Sequence, residues 1–399
     1  MPPTAQSICL VGDIDPPLGG VATYCRNLSE SLAGQGWTVS LVDTSGGTGK
    51  MVPTGLSSFY SASPREQLLY ALDPRAHRAR SLVSELVSTL SPRDRLRFAA
   101  LTGSLSSILR RSPAHLVHSN HAGLRSLAAL AVAESARLPL VLTIHGAEFT
   151  SPALESYQPL ARELCRRATA VLANSEFTAE AARRTGVTQP ITVTLLGVDI
   201  SRFSPGPVPP EFFQRYDLDP GKRRILFSGW LSHNKGVDVL LDAVGRLDPG
   251  LREGLECVCV GPDEGTLDDL NQRAAREKIG RIRVLSRSRP EDFPVFYRSA
   301  EIFVLPTRVY EGFGLVALEA LASGCAVVAS NLGGIPEAMD GAGLVFEPGN
   351  AEQLSEILSR LLLQPEELAR RRRVGPQVAG RFSWERPSPR VLRQNLAAG

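Results

Sequence analysis

Two glutamates stand eight positions apart in the most distinctive stretch of the sequence, EGFGLVALEALASG at 311–324. We place Glu311 in a glycine-rich loop and Glu319 about two turns along the helix that follows. The amides of Phe313, Gly314 and Leu315 would lie at the start of that helix, where free N–H groups and the helix dipole bind anions. One acid, an anion site and a second acid on a single element would suit a ligand that carries a diphosphate between two polyols.

A second group of polar residues occurs in the first half of the chain. His145 ends a predicted strand and begins the sequence HGAE, so we expect it to face a ligand cleft and to hydrogen-bond a sugar hydroxyl. Glu148 on the same loop could bind a hydroxyl of a second ligand. His118 and His121 lie near the end of another predicted strand and are interpreted as structural or as lining the site of that second ligand.

These residues must be positioned by strands and helices that alternate along the chain. Short apolar runs separated by amphipathic segments are typical of parallel sheets covered on both faces, so we predict an α/β protein. The predicted strands of the first half are Ser7–Gly12, Trp37–Asp43, His115–Ser119, Pro139–Ile144, Thr169–Asn174 and Ile191–Leu196. Those of the second half are Ile225–Ser228, Glu256–Val260, Ile282–Leu285, Ile302–Leu305, Ala326–Ser330 and Leu344–Phe346.

The loops between these strands supply further signals. Gly19 and Gly20 separate the first strand from a helix, and glycines there would let the backbone approach a phosphate. The dinucleotide fingerprint G-x-G-x-x-G is absent, which argues against a dehydrogenase. The segment 44–63 is rich in Gly, Ser and Pro and is predicted to be a loop.

A proline-rich segment divides the chain. Five prolines lie within 202–224, and this density predicts neither helix nor central strand, so we place a linker at 204–224. The predicted arrangement is an N-terminal domain at 1–203, the linker, and a C-terminal domain at 225–380. Ligands bind such sheets at the carboxyl ends of the strands, so we expect a cleft between the two domains.

Composition excludes several classes of function. The chain of 399 residues carries 44 basic and 41 acidic residues, a balance that argues against an obligate nucleic-acid binder. The stretch 65–111 alone carries nine basic and four acidic residues. We interpret it as a solvated helical insertion, with peripheral membrane contact as the alternative that is not favoured.

The six cysteines form no C-x-x-C and no zinc set, so we expect a reduced, cytoplasmic protein without a disulfide framework. We also expect no signal peptide and no membrane-spanning segment, since the apolar runs are short. The sequence leaves the oligomeric state open.

Several motifs together resemble one enzyme family. In chain order they are PPLGGVATY, TIHGAEF, VLANSEFTAEA, LGVDISRFSP, FSGWLSHNKGVDVLLDA, the EGFGLVALEALASG stretch, SNLGGIPE and FSWER. This order resembles that of the retaining glycosyltransferases of the GT-B fold, specifically glycosyltransferase family 4. The resemblance implies two Rossmann-like domains that face each other across a cleft, with a C-terminal helix at 381–399 returning to the first domain. Ser383 could cap that helix.

The resemblance also implies roles for individual residues. Glu311 would hold hydroxyls of the donor sugar, Glu319 would hold the ribose of the nucleotide, and Lys235 in H-N-K-G would neutralise the diphosphate. A lysine at the start of a helix after a strand is also a point charge beside a helix dipole, which supports that role. The donor-binding set is completed by Gly19, Gly20, Gly229, Gly312, Phe313, Gly314 and Leu315. His145, Glu311 and Lys235 are the expected catalytic residues, and His121 and Glu148 the expected acceptor-lining residues.

One position departs from the family pattern. An arginine usually follows the glycine of the first strand of the second domain as a phosphate ligand, but Gly229 is followed by Trp230. An indole cannot neutralise a phosphate, although it could stack on a sugar. Arg308, Arg287 and Arg289 are the candidate substitutes.

No metal or other cofactor is expected. The chain contains two D-x-D sequences, at Asp13 and Asp15 and at Asp217 and Asp219, and some glycosyltransferases of another fold hold Mn²⁺ with such a pair. Two aspartates are too few ligands for a metal site. A GT-B enzyme neutralises its leaving group with amides and basic side chains.

These observations predict a retaining glycosyltransferase that uses a nucleoside-diphosphate sugar, such as UDP-GlcNAc or UDP-glucose, and a hydroxyl acceptor, for example a small metabolite or a glycan. Alternatives are a nucleotide-sugar epimerase or a phosphorylase of the same fold, or a non-catalytic sugar-nucleotide-binding protein. A phosphorylase usually needs a pyridoxal lysine, and of the four lysines only Lys235 is well placed.

Overall fold

The computed structural model of the chain describes residues 6–12, 19–43, 56–61, 76–276 and 281–384. By their internal contacts the residues separate into two compact units, and the boundary falls between Leu195 and Leu196. Each unit is built on a parallel sheet, which confirms the predicted α/β class and the two Rossmann-like folds.

The first unit contains a sheet of seven parallel strands in the order β3-β2-β1-β4-β5-β6-β7. The strands are β1 (Ser7–Gly12), β2 (Thr38–Asp43), β3 (Ser58–Ser61), β4 (Leu116–Asn120), β5 (Leu140–Ile144), β6 (Ala170–Ala173) and β7 (Ile191–Val193). The chain adds strands on one side of β1 and then continues with β4 on the other side, where Ile8 pairs with Leu116. The order of the strands therefore reverses between β1 and β4, and ligands bind doubly wound sheets at such a point.

Helices cover this first sheet. They are α1 (Gly20–Gly34), α2 (His77–Ser81), α3 (Ser84–Ser88), α4 (Pro92–Arg111), α5 (Leu124–Ala136), α6 (Ala147–Thr150), α7 (Gln158–Arg167) and α8 (Glu176–Arg184), with a 3₁₀ turn at Pro152–Tyr157. Ser91 caps α4 by accepting a hydrogen bond from the Asp94 amide at 3.1 Å, and Pro92 occupies the first turn, where its missing N–H costs nothing.

The second unit contains six parallel strands in the order β10-β9-β8-β11-β12-β13. They are β8 (Arg223–Ser228), β9 (Leu255–Val260), β10 (Arg281–Leu285), β11 (Ile302–Leu305), β12 (Ala326–Ser330) and β13 (Leu344–Phe346). Strands β9, β11 and β12 are buried along their whole length, which explains their largely apolar sequence. The one charged residue among them, Glu256 of β9, pairs with Arg224. Here the order reverses between β8 and β11.

The helices of the second unit follow the predicted alternation. They are α9 (Pro210–Arg215), α10 (Val237–Gly245), α11 (Pro249–Glu253), α12 (Leu267–Arg276), α13 (Phe293–Ser299), α14 (Leu315–Ala322), α15 (Ile335–Met339), α16 (Ala351–Leu363) and α17 (Pro365–Ala379). Short 3₁₀ turns occur at His233–Lys235, Pro290–Asp292 and Gly380–Phe382. Among the residues that the structure describes, no helix is long and apolar enough to cross a membrane.

All twelve predicted strands are present, but two local predictions were wrong. The segment 44–63 was predicted to be a loop, yet Ser58–Ser61 forms the edge strand β3, where Ser58 pairs with Ser40 of β2. The segment 204–224 was predicted to lack helix, yet it contains α9. Pro210 begins that helix, a position that tolerates proline, and the Phe212 ring packs 4.8 Å from Phe296 of α13.

The last described residues lie in the second unit. Gly197 lies close to Phe382 and Trp384. A Cβ at Gly197 would approach the Trp384 indole and the Phe382 carbonyl at 2.9 Å, so only glycine fits there without a shift. Val198 and Ser383 form a parallel bridge. Residues 385–399 lie outside the described ranges, so the predicted terminal helix stays a prediction.

Candidate active site

The candidate residues lie beyond the carboxyl ends of strands beside the two points where strand order reverses. In the second unit, Gly229 follows β8 and Glu311 lies in the loop after β11. In the first unit, His121 follows β4 and His145 follows the neighbouring strand β5. This is the edge at which parallel sheets bind ligands, so each unit presents part of the expected site at its own switch point.

Lys235 closes the short 3₁₀ turn that leads from β8 into α10. The next residue, Gly236, has a φ of 73°, and a Cβ there would overlap the carbonyl oxygen of Pro306 at the end of β11. The Arg308 amide donates to the Asn234 carbonyl at 2.8 Å. The loops after β8 and β11 are thus in direct backbone contact, and this contact brings Lys235 to the Glu311 loop.

The Lys235 ammonium donates a hydrogen bond to Oε1 of Glu311 and forms an ion pair with it. Their side chains are 25% and 24% exposed, so both remain accessible to a ligand. A half-exposed pair of this kind adds little to stability. The pair places a cation and a carboxylate side by side where a donor sugar diphosphate would need both.

The backbone of the Glu311 loop packs directly against two glycines, Gly333 and Gly334, that follow β12. The Gly334 amide donates to the Glu311 carbonyl at 2.8 Å. A Cβ on Gly333 would overlap the backbone of Glu311, and one on Gly334 would overlap the carbonyl of Gly312. The glycines of SNLGGIPE are therefore required by the close approach of two backbones, a role that the sequence analysis did not assign.

Helix α14 begins directly after this loop. Gly314 is its N-cap residue, and no side chain caps the helix there. Phe313 and Leu315 are buried, so their side chains anchor the helix start in the core while their backbones form the loop. The amides that the sequence analysis assigned to anion binding therefore do lie at a helix N-terminus.

Glu319 lies about one turn along α14, not two as predicted, because the helix begins only at Leu315. Its Oε2 accepts a hydrogen bond from the Tyr297 hydroxyl at 3.1 Å. Burial raises the pKa of Glu319 to about 7, although the Tyr297 hydrogen bond and the charge of Arg202 lower it. Tyr297 itself is fully buried on α13, and burial raises the pKa of its hydroxyl. The second acid is thus a partly protonated group near neutral pH, and Tyr297 is a site residue that the sequence analysis missed.

Of the three arginines considered as substitutes at the Trp230 position, Arg308 pairs with another side chain, and Arg287 and Arg289 follow a different strand, β10. Arg308 forms two hydrogen bonds with the carboxylate of Asp238, at 2.7 and 2.8 Å. Arg287 and Arg289 are exposed and line a cavity of about 690 Å³ beside β10. The strands β9 and β8 separate β10 from β11, so these two arginines are not brought together with the Glu311 loop by the strand order.

In the first unit, His121 and His145 follow β4 and β5 and cluster with Glu148, and His118 lies within β4. Nδ1 of His121 lies 3.0 Å from Oε1 of Glu148, and the rings of His121 and His145 are 6.0 Å apart. Burial lowers the pKa of His145 to about 4, against a smaller raising effect of Glu148. His145 is therefore a neutral imidazole at neutral pH, able to hydrogen-bond a hydroxyl.

His118 is a buried neighbour of this cluster. Its Nε2 lies 2.7 Å from the Thr143 hydroxyl, and burial followed by the charge of His145 lowers its pKa to about 3. Tyr24 packs edge-on against His145 with ring centroids 5.2 Å apart. His118 is thus a buried structural residue, which was one of the two roles predicted for it. The sequence analysis did not identify Thr143 and Tyr24 as neighbours of these histidines.

The remaining predicted positions are the glycines before α1 and the two aspartate pairs. Gly19 and Gly20 are exposed at the start of α1, with no side-chain cap. Asp13 and Asp15 lie outside the described residues. Asp217 pairs with Arg283. Among the residues that the structure describes, no group of three or more His, Cys, Asp or Glu side chains could hold a metal ion.

Comparison with known proteins decides the family. The model described as "Glycosyltransferase Family 4" matches residues 18–202, and that described as "Glycosyl transferases group 1" matches residues 209–378. A D-inositol 3-phosphate glycosyltransferase of Nocardiopsis dassonvillei is 31% identical over 319 residues, which cover 73% of this chain and 72% of that protein. The chain belongs to glycosyltransferase family 4.

Other relatives cover less of their own length. A D-inositol 3-phosphate glycosyltransferase of Segniliparus rotundus is 33% identical over 219 residues, which is 53% of this chain and 47% of that relative. The first relatives are thus matched over about half to two thirds of their length. Because of this partial coverage, the substrates of these relatives are not assigned to this family 4 chain.

The fold of this family 4 chain matches solved structures over nearly its whole length. HepE of Anabaena, solved in complex with UDP and glucose, superimposes with a TM-score of 0.73 at 20% identity, covering 99% of this chain and 100% of that one. At this identity the likeness shows the fold, which is the GT-B fold with two Rossmann-like domains, as predicted from the motifs.

Proposed function

We propose that the protein transfers a sugar from a UDP-linked donor to a hydroxyl of a small acceptor, with retention of the anomeric configuration and without a metal. The observation that supports this most directly is the Lys235–Glu311 ion pair above the start of α14, with Glu319 one further turn along the same helix. A cation, a helix N-terminus and two carboxylates on adjoining elements match a diphosphate between two sugars.

Lys235 and the helix start would act on the leaving group. As the bond between sugar and phosphate breaks, negative charge grows on the diphosphate. Fixed amides and a lysine placed at that charge stabilise the transition state more than the ground state. When the donor binds, the diphosphate takes the place of Glu311 beside Lys235, and the freed Glu311 carboxylate accepts hydrogen bonds from hydroxyls of the transferred sugar.

We infer retention from membership of family 4, and the candidate residues offer no evident nucleophile for a double displacement. Glu311 is assigned to hydroxyls of the transferred sugar, and Glu148 is enclosed in the other unit. We propose a same-face substitution in which the departing phosphate takes the proton of the attacking hydroxyl. The neutral His145 imidazole would hydrogen-bond a sugar hydroxyl during this step.

The donor and acceptor classes rest on similarity. HepE is solved with UDP and glucose, and the two relatives named above are D-inositol 3-phosphate glycosyltransferases. UDP-glucose and UDP-GlcNAc are therefore the donors to try first, and a phosphorylated polyol is the first acceptor.

The test is release of free nucleotide from UDP-glucose, UDP-GlcNAc and a GDP-linked sugar, each with and without D-inositol 3-phosphate. Acceptor-dependent release of UDP with a glycoside product of retained configuration is the expected result. UDP release without any acceptor, together with a rearranged sugar, would identify an epimerase. Binding of UDP-sugars without release under any condition would identify a non-catalytic binding protein.

A further inference from the structure

Glu148 lies at the carboxyl edge of the first sheet, but its side chain is only 3% exposed. Its carboxylate oxygens are occupied by three donors from two loops. Nδ1 of His121 lies at 3.0 Å, the Ala122 amide at 3.2 Å, and the His145 amide at 3.2 Å. A carboxylate enclosed in this way is not free to bind a ligand, so it must act through the groups that it holds.

The charge of Glu148 is maintained in spite of its burial. Burial raises the pKa of this carboxyl, but the His121 charge and hydrogen bond, the His145 charge and a backbone hydrogen bond together hold the pKa well below its usual range. The titratable groups that face Glu148 are His121, His145 and Cys165. Around His145 the further titratable groups are His118 and Tyr24.

His121 has an unusual backbone conformation that this contact supports. Its φ is 82°, in the left-handed region, which a residue other than glycine occupies at a cost. The side chain is 30% exposed, so one end of the imidazole is tied to Glu148 inside the protein while part of the ring meets solvent. A strained residue with an enclosed ion partner at a ligand-binding edge indicates a functional constraint.

We propose that Glu148 is a positioning residue that fixes the imidazole of His121 and the loop of His145 in one arrangement, so that these two rings, and not Glu148 itself, contact the substrate. The inference rests on the proposed transferase function. It replaces the prediction that Glu148 binds an acceptor hydroxyl with a role that its burial allows.

This arrangement gives the two rings different surroundings. Burial lowers the pKa of His145, which keeps that ring neutral, whereas the His121 ring contacts the Glu148 carboxylate and is partly exposed. Two imidazoles 6.0 Å apart in such different surroundings can perform different tasks on a substrate.

Kinetics of E148Q, H121Q and the double variant test the proposal. A glutamine at 148 can still accept from the two backbone amides but cannot pair with a charged imidazole. We expect E148Q to lower kcat roughly 10- to 150-fold, the effect of losing one charge-assisted contact. The donor affinity should stay unchanged, because Lys235, Glu311 and Glu319 lie in the other unit. E134Q, which removes a charge paired with Arg167 in the same unit, is the matched control and should keep the wild-type kcat.

The double variant separates positioning from direct contact. If Glu148 acts through His121, E148Q/H121Q should be no slower than H121Q alone. Losses that multiply would overturn the proposal, as would wild-type kcat and KM in E148Q. If E148Q does not fold, H121Q decides: wild-type kinetics in that variant overturns the proposal, and a lowered kcat with unchanged donor affinity supports it.

Histidine ring NMR gives a readout that needs no turnover. The chain has six histidines, and the His121 signals are identified by their loss in H121Q. In E148Q we expect the His121 ring signals to move from their wild-type positions, because Nδ1 loses its carboxylate partner. Identical His121 signals in both proteins would overturn the proposal. A wild type that is inactive on every donor but shows this difference would refute the proposed function alone.

Discussion

The ammonium of Lys235 pairs with the carboxylate of Glu311, although 76 positions separate them in the sequence. The two residues follow β8 and β11, the neighbouring strands at which the order of the second sheet reverses. In this structure each charge neutralises the other. In the proposed function a diphosphate replaces Glu311 as the partner of Lys235, so that donor binding exchanges one ion pair for another.

Removal of Lys235 should weaken donor binding. Loss of one charge-assisted contact to the diphosphate costs about 1.5–3 kcal/mol, so K235A should bind UDP-glucose roughly 10- to 150-fold more weakly by calorimetry. K222A is the matched control, because Lys222 precedes β8 at the opposite end of the strand and contacts the Glu253 carbonyl. Equal affinities in K235A and wild type would contradict the site assignment.

Donor affinity should rise with pH through neutrality. Burial raises the pKa of Glu319 to about 7, so at pH 6 most molecules carry the neutral acid, and the ionised form that best accepts ribose hydroxyls grows as the pH increases. We expect UDP-glucose to bind about tenfold more tightly at pH 8 than at pH 6, in proportion to the ionised fraction. In E319Q this dependence should disappear. A flat profile in the wild type would be the contrary result.

Substitution of Gly334 should loosen the Glu311 loop. A Cβ at this position would overlap the Gly312 carbonyl, so G334A forces the two backbones apart at a cost of about 1–3 kcal/mol. Thermal unfolding should show a lower Tm, and UDP-glucose affinity should fall with it. G34A is the control, since nothing lies within 4 Å of a Cβ there, and its Tm should stay the same or rise. A G334A protein with wild-type Tm and affinity would disprove this role.

Chelation should leave turnover unchanged. The proposed leaving-group stabilisation uses Lys235 and backbone amides, and no step needs a metal ion. UDP release should therefore be equal in the presence and absence of EDTA, measured after dialysis against the chelator. Loss of activity in EDTA that Mn²⁺ restores would show that the aspartate pairs had been wrongly set aside.

Acid should destabilise the first unit before its carboxylates titrate. The pKa of His145 is lowered to about 4 and that of His118 to about 3, both first by burial. A histidine with a lowered pKa stabilises the folded state fully above its unfolded pKa of about 6.5, and this contribution is lost as the pH falls. Each should lower the free energy of unfolding by roughly 2 kcal/mol between pH 8 and pH 5. Urea unfolding of H145N should show a smaller change with pH than the wild type, and an equal change would speak against buried, neutral His145.

The sequence by itself determined the elements and the family. Alternating apolar and amphipathic segments reflect local periodicity, and each predicted strand is present because strands buried on both faces are rich in apolar residues. The placement of Glu311 in a loop and of Glu319 on the helix that follows also comes from local order, because the two residues are only eight positions apart. The helix α9 and the strand β3 were missed because proline at a first helical turn and a short edge strand give weak local signals.

Only the tertiary structure decided which side chains meet. The strand order put Lys235 beside Glu311, Asp238 beside Arg308 and Tyr297 beside Glu319, and none of these pairs is close in sequence. The sequence predicted Glu148 as a ligand-binding residue, whereas the structure shows it buried and in contact with His121. Such contacts depend on which loops, distant in sequence, meet at the edge of a sheet, and on the exclusion of water from the side chains that these loops bury. Both are consequences of packing, which local sequence patterns do not encode.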